Sequence, residues 1–284
     1  MKCPLCLSTK LADLGRVRFD IPKYYRNPHL FECKNCLMFF IYPKANEKNL
    51  SKIYSGTYHY LKNNLLDRFV SLYNSKDLAS DSYLVIRHIK EGKILDIGAG
   101  RGDFISRFRG DKWEKWAFDP YLSDKGTKRL KKKIGARVND FSSLSLYPRN
   151  YFDVVTLRNV IEHTYRFMPL LSQIKGILKK GGVLFIRTPN INSIEFELFK
   201  NNWYVIRMAG HLVFFGKKSI NRALKVAGFK RVQITNSRVA APLSLYRSVD
   251  HKLPKALMAI SSIIFSALSF FGREGTDLRV IARK

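Results

Sequence analysis

From about residue 80 to the end of the chain, short apolar runs alternate with amphipathic stretches. Asp81–Lys90 reads as a helix that leads into a buried strand at Lys93–Ile97. Further strands are predicted at Trp116–Phe118, Ala136–Asn139, Phe152–Leu157 and Val183–Thr188. Helices fall between them, including Leu170–Leu178, and a closing pair of strands is predicted at Arg231–Thr235 and Leu278–Ala282. Such alternation implies an α/β fold, a mostly parallel sheet covered on both faces, with ligands held across the carboxyl ends of the strands. At 284 residues the chain can bury one such core and carry a small appendage.

The first strand runs into three alternating glycines, Gly98, Gly100 and Gly102. Glycine there allows a tight turn and close approach of backbone to a ligand, and a helix opening after it would suit an anionic group. A dinucleotide fingerprint would place glycine at 103, where this chain has Asp103. Asp96, two residues before Gly98, suits a cationic cofactor instead. The next predicted strand ends in Asp119, an acid able to accept two hydrogen bonds from ribose hydroxyls.

Cysteine usage adds a second element. All four cysteines lie in the first 36 residues, as Cys3-x-x-Cys6 and Cys33-x-x-Cys36 separated by 26 residues. Two such knuckles can set four thiolates around a structural Zn²⁺, although the spacer is longer than usual for a zinc ribbon. Met1–Cys6 lacks the apolar run of a signal peptide, so a reducing cytoplasm is expected, with peripheral contact at the inner membrane face as a variant of it.

Charge widens the range of partners. The chain carries 51 Lys and Arg against 22 Asp and Glu, a net +29, and Lys125–Lys133 alone holds five lysines and an arginine. Such a surface attracts polyanions, or is simply a solvated helix face. The uncharged run 256–271 is short for a membrane span and reads as a lid, core or membrane-surface helix, with Ser262, Ser266 and Ser269 on one stripe.

The motif order resembles class I S-adenosylmethionine-dependent methyltransferases. The residues that carry the likeness are Asp96-x-Gly-x-Gly-x-Gly102, Trp116–Asp119, Tyr151–His163, Lys179–Gly182, Thr188-Pro-Asn190, His211–Phe215 and Ala227–Phe229. The resemblance implies a Rossmann-like, seven-stranded sheet over residues 80–284, a helical linker or lid at 46–79, and a zinc-ribbon-like segment at 1–45. It also implies that Gly98, Gly100 and Gly102 back the methionine portion, Asp96 orients it, Asp119 takes the ribose and Asp140 the adenine edge, while Asn159 and Val160 border the cofactor. His163 and His211 become the candidate bases, and Tyr54, Tyr58 and Tyr60 could line a substrate entrance or pack the ribbon. Arg166-Phe167 stands where relatives carry Asp-Pro, a departure on the substrate side.

Methyltransferases with such a ribbon are associated with surface-polysaccharide and natural-product pathways, so a sugar or glycan acceptor, plain or phosphate-bearing, is the leading expectation. RNA is the alternative acceptor, gripped by the ribbon and the basic surface. A cofactor-binding module without turnover is a third reading.

Overall fold

The computed structural model describes residues 1–19, 25–43, 65–135, 137–139, 143–237 and 275–284, with Asn49, Lys52, Ile53 and Ser248 as isolated positions. Three short strands come first: β1 (Leu11–Arg16), β2 (His29–Cys33) and β3 (Phe39–Tyr42). The long helix α1 (Leu65–Ile86) leads to β4 (Gly92–Ile97), β5 (Trp113–Phe118), α2 (Asp124–Ile134), β6 (Arg137–Val138) and β7 (Phe152–Arg158). Then follow α3 (Phe167–Ile177), β8 (Leu178–Pro189), the short helices α4 (Ile194–Phe199) and α5 (Tyr204–Arg207), and β9 (Val213–Phe214). The described chain closes with α6 (Lys217–Val226), β10 (Lys230–Asn236) and β11 (Asp277–Arg283).

Seven strands form one sheet in the order β10-β11-β8-β7-β4-β5-β6, so the expected doubly wound α/β fold is borne out. β4 through β8 run parallel, and β11 is antiparallel to both β8 and β10. The central strands read as near-continuous apolar runs because both of their faces are covered. Ile94 and Val154 point to the face holding Phe104, Phe108 and Phe185, whereas Leu95 and Val155 point to the face covered by Phe167, Leu171 and Ile174 of α3.

Several predicted elements differ in extent. No α-helix opens after the glycine loop: the segment is a compact turn ending in a single 3₁₀ turn at Ile105–Arg107. Phe104, Ile105 and Phe108 are buried within that short stretch, which Gly110 closes at φ +80°. The helix read at Asp81–Lys90 is the end of α1, which stops at Ile86. The strand read at Ala136–Asn139 is reduced to β6, because Asn139 adopts φ +49° and leaves the sheet. The lysine-rich run is α2, which buries Leu130 and Ile134, exposes Lys125, Lys128, Lys131 and Lys132, is capped by Ser123 and ends at Gly135 in the left-handed conformation.

Sequence periodicity did not show β9, yet it joins the two parts of the molecule. β9 pairs antiparallel with β3, Phe39 opposite Phe214 and Phe40 opposite Val213, completing a sheet of order β1-β2-β3-β9. Leu30, Ile41, Phe196, Trp203 and Phe214 pack together beneath it. Tyr54, Tyr58, Tyr60, Asp140 and the uncharged run 256–271 lie outside the described residues. Among the described residues no helix is long and apolar enough to cross a membrane.

A buried ionic lattice ties α1 to the sheet. Arg187 contacts Asp77, Asp81 at 2.9 Å and Asp277 at 2.5 Å, while Arg158 reaches Asp81 at 2.9 Å and Asp77 at 3.1 Å. Removing one member leaves its partners buried and uncompensated, so Arg187→Met is expected to cost about 3–5 kcal/mol. A denaturant titration checks this, and an unchanged midpoint would show that α1 does not depend on the lattice.

Candidate active site

The carboxyl ends of β4, β5 and β7 converge on the glycine loop. Gly98 and Gly102 hold φ +71° and +74°, a region that L side chains resist. A Cβ on Gly98 would overlap Val160 Cγ2, and one on Gly102 would overlap Leu130 Cδ1, so the loop lies flat between its neighbours. The Gly98 amide donates to the Phe118 carbonyl at 2.7 Å, tying the loop to β5.

Asp119 caps β5. Its Oδ2 accepts from the Gly100 amide at 2.9 Å and its Oδ1 from the Tyr121 amide at 3.1 Å. Burial raises its carboxyl above the usual range, against the pull of those two amides. Asn139 was not singled out in the sequence, yet it clamps this residue: Asp119 N donates to Asn139 Oδ1 at 2.7 Å, and Asn139 Nδ2 donates to the Asp119 carbonyl at 2.8 Å. The available signal was an asparagine next to a predicted strand end, a residue that tolerates positive φ.

Asp96 sits deeper and accepts a 2.6 Å hydrogen bond from Thr156 Oγ1. Burial pushes it up to about 7, partly offset by Thr156 and by the nearby Arg158 charge. It is not part of the cavity wall.

That cavity, about 600 Å³, is lined on the β5 side by Phe118, Asp119, Pro120, Tyr121 and Leu144, and on the β7 side by Gly98, Asn159 and Val160. His163, Thr164, Met208 and Ala209 form another wall, and Arg166, Pro169, Leu170 and Gln173 of the α3 region close it. An apolar slot beside a buried carboxylate, with Gly98 leaving one wall free of side chain, fits S-adenosylmethionine. Gly98, Asp119 and Asn159 are thus brought to the cavity, while Gly100 and Gly102 shape the loop behind it.

His163 also lines the cavity, and its Nδ1–H donates to the Gly210 carbonyl at 3.0 Å. Burial lowers it to about 4, against the pull of the Gly210 and Asn159 carbonyls, so it is neutral at physiological pH. His211 is placed one layer back, outside the cavity wall, its ring 4.7 Å from that of His163 and its Nδ1 bonded to the Val205 carbonyl at 2.9 Å. Burial holds it well below the ordinary histidine range. Glu162 lies in the Tyr151–His163 motif. It is wholly buried, accepts from Thr188 Oγ1 at 3.0 Å and is pushed up to about 8 by burial. One ligand atom from each of Glu162, His163 and His211 falls within 4.8 Å of the others.

These shifts oppose one another. Depressed histidines contribute stability above their unfolded value of 6.5, and that stability is lost as pH falls through about 4 for His163. Raised carboxyls contribute stability at low pH that is lost as pH rises through about 7 for Asp96 and about 8 for Glu162. The ligand-free protein is therefore expected to melt highest between the His163 and Asp96 values, with a lower midpoint on either side. Scanning calorimetry across pH checks this, and a midpoint still climbing at pH 8 would contradict it.

The cysteine knuckles converge as their spacing implied. Cys3 Sγ and Cys36 Sγ are 3.5 Å apart, as are Cys6 and Cys33, and all four sulfurs lie within 4.8 Å of one another. A tetrahedral zinc with bonds of about 2.3 Å would space its sulfurs by about 3.8 Å, so the set fits the ion. Each knuckle closes alike: Leu7 N donates to Cys3 O at 3.0 Å and Leu37 N to Cys33 O at 2.8 Å, both leucines at positive φ. This part of the chain also touches the cavity wall, because Gly210 N donates to Tyr25 Oη at 3.2 Å while Gly210 O holds His163.

Sheet order, glycine loop, ribose-side acid and cavity together define a nucleotide-cofactor-binding α/β enzyme domain of the methyltransferase type. Residues 39–234 match the family model described as a methyltransferase domain, and the chain belongs to that family, whose cofactor is S-adenosylmethionine. A stretch of 109 residues is 28% identical to a ubiquinone biosynthesis O-methyltransferase of Bradyrhizobium sp. (strain ORS 278), covering 37% of this chain and 43% of that protein, less than half its length. A SAM-dependent methyltransferase from Archaeoglobus fulgidus superposes with a TM-score of 0.54 at 19% identity, covering 78% of this chain and 100% of that one. A possible histamine N-methyltransferase from Thermotoga maritima superposes with a TM-score of 0.51 at 18% identity, covering 83% and 99%. At these identities the two structures establish a shared fold.

Proposed function

We propose that this chain transfers a methyl group from S-adenosylmethionine to a small molecule, a sugar or glycan intermediate, with Zn²⁺ held structurally by Cys3, Cys6, Cys33 and Cys36. The observation that carries the reading is one continuous cavity lined by Asp119, Gly98 and His163. Bound S-adenosylmethionine supplies an electrophilic methyl group. Asp119 would receive the ribose hydroxyls and Gly98 would let the backbone lie against the cofactor, while Gly100, and Asp96 buried behind the cavity wall, would hold the loop in place rather than touch the cofactor. Thr164 and Gln173 offer hydrogen-bonding groups on the acceptor side, as hydroxyl-rich molecules require, and Asn159 borders the cofactor. His163, its Nδ1 held by Gly210, is the lining residue that would take the proton a hydroxyl acceptor loses; burial in the ligand-free protein makes it a weak base, so a bound acceptor would have to raise its pKa toward neutrality. His211 acts through His163 by packing on its ring.

The glycan assignment rests on the ribbon-bearing resemblance and the polar wall. The named relatives work on chemically unlike acceptors and favour none. The exposed lysines of α2 support RNA as a second acceptor class. We place the protein in the cytoplasm, with peripheral contact at the inner membrane face through its basic surface. Methyl transfer from labelled S-adenosylmethionine into fractionated native extract tests the assignment. Label in nucleotide-sugar or organic-soluble fractions is expected, and nuclease-sensitive label in RNA would overturn the glycan reading.

A further inference from the structure

Three arginines near the sheet have acidic partners: Arg158 and Arg279 contact Asp77 and Asp81, and Arg187 contacts these and Asp277. Arg166 does not share this arrangement. It is exposed at the start of α3, lines the cavity, and among the described residues its guanidinium has no ion pair or hydrogen bond. Its backbone is fixed, with N donating to Thr164 Oγ1 at 3.0 Å next to His163. Among the described lining residues it is the one Lys or Arg, and the one carboxylate, Asp119, is already engaged by two amides. The spacing 166, 169, 170, 173 puts Arg166, Pro169, Leu170 and Gln173 on one helical face, so α3 presents a planar cation and an amide along the same wall.

A guanidinium offers two parallel N–H donors to an oxyanion, and an unpaired one at a cavity rim has its fork open for a ligand. Among the described lining residues the one acid, Asp119, forms no ion pair with it, and the net charge of +29 draws anions toward the whole surface. We propose that the methyl acceptor carries a phosphoryl group and that Arg166 is the specificity-determining residue that binds it, placing the rest of the acceptor beside His163. This deepens the methyltransferase reading and rests on it for the identity of the bound molecule as an acceptor.

The test uses the full chain at physiological salt, saturated with S-adenosylhomocysteine and titrated calorimetrically with inorganic pyrophosphate. Saturable binding is expected in the wild type. Arg166→Gln should weaken it at least tenfold, Arg166→Lys should recover part of the loss, and Lys180→Gln, an exposed lysine away from the cavity, should change nothing. S-adenosylhomocysteine affinity, measured first in each variant, should be unaltered and so report an intact fold. Absence of saturable pyrophosphate binding, equal binding in Arg166→Gln, or equal weakening in Lys180→Gln would each overturn the proposal. Failure of the wild type to bind S-adenosylhomocysteine would count separately, against the methyltransferase reading.

Discussion

Asp119→Ala is expected to weaken S-adenosylmethionine binding by about 100-fold or more. Hydrogen bonds to a charged acceptor contribute about 1.5–3 kcal/mol each, and Asp119 would offer two to the ribose, so the loss is at least about 3 kcal/mol. A second consequence adds to it. The same carboxylate holds the Gly100 and Tyr121 amides at 2.9 and 3.1 Å, so its removal also takes away one tie of the glycine loop, leaving the backbone bond from Gly98 to Phe118. Asp119→Asn keeps the shape and one acceptor oxygen, and its loss should be smaller. Equilibrium dialysis with labelled cofactor separates the two variants, and wild-type affinity in Asp119→Ala would remove this residue from the cofactor site.

Stripping metal from the cysteine cluster, or replacing Cys33 and Cys36 together by Ser, should abolish methyl transfer as well as unfold the first strands. Structural zinc contributes on the order of 10–16 kcal/mol in isolated zinc-finger peptides, more than a small three-stranded unit can replace. The effect should reach the active site because β3 pairs with β9, and because Leu212, which precedes β9, accepts from Ile41 N at 2.9 Å and donates to Glu162 O at 2.9 Å. Tyr25→Phe isolates that link: it removes the hydroxyl that accepts from Gly210 while leaving the thiolates intact. Metal analysis should find about one zinc per chain in the untreated protein. A zinc-free chain with unchanged melting and activity would refute the structural role.

Much of the catalytic half was legible because its physics is local. Phe152–Leu157 and Val183–Ile186 are strands with both faces buried, which forces contiguous apolar residues, and the Gly98–Gly102 loop needs conformations that few other residues allow. The convergence of the four cysteines was legible because two Cys-x-x-Cys knuckles in one short segment are the pattern that a metal-binding cluster uses. What escaped notice depends on partners distant in sequence. β9 has two residues and no period of its own, and its strand identity comes from Phe39 and Phe40 far upstream. The Asp77, Asp81 and Arg187 lattice joins residues more than 100 positions apart, and nothing in either segment announces the other. The resemblance points to Asp140 and gives Asn139 only as a strand end, because an asparagine that pins a strand end shows only in three dimensions. His163 and His211 were equal candidates on sequence, and the cavity wall, which includes His163 alone of the two, separates them.

The cofactor that the cavity takes is the property on which every assigned role depends. Calorimetric titration of the wild-type chain with S-adenosylmethionine, and in parallel with NAD⁺, measures this without knowledge of the acceptor. One equivalent of S-adenosylmethionine per chain and no saturable heat from NAD⁺ is the predicted result, given Asp103 where a dinucleotide fingerprint requires glycine. Preferential binding of NAD⁺, or no binding of S-adenosylmethionine, would contradict it.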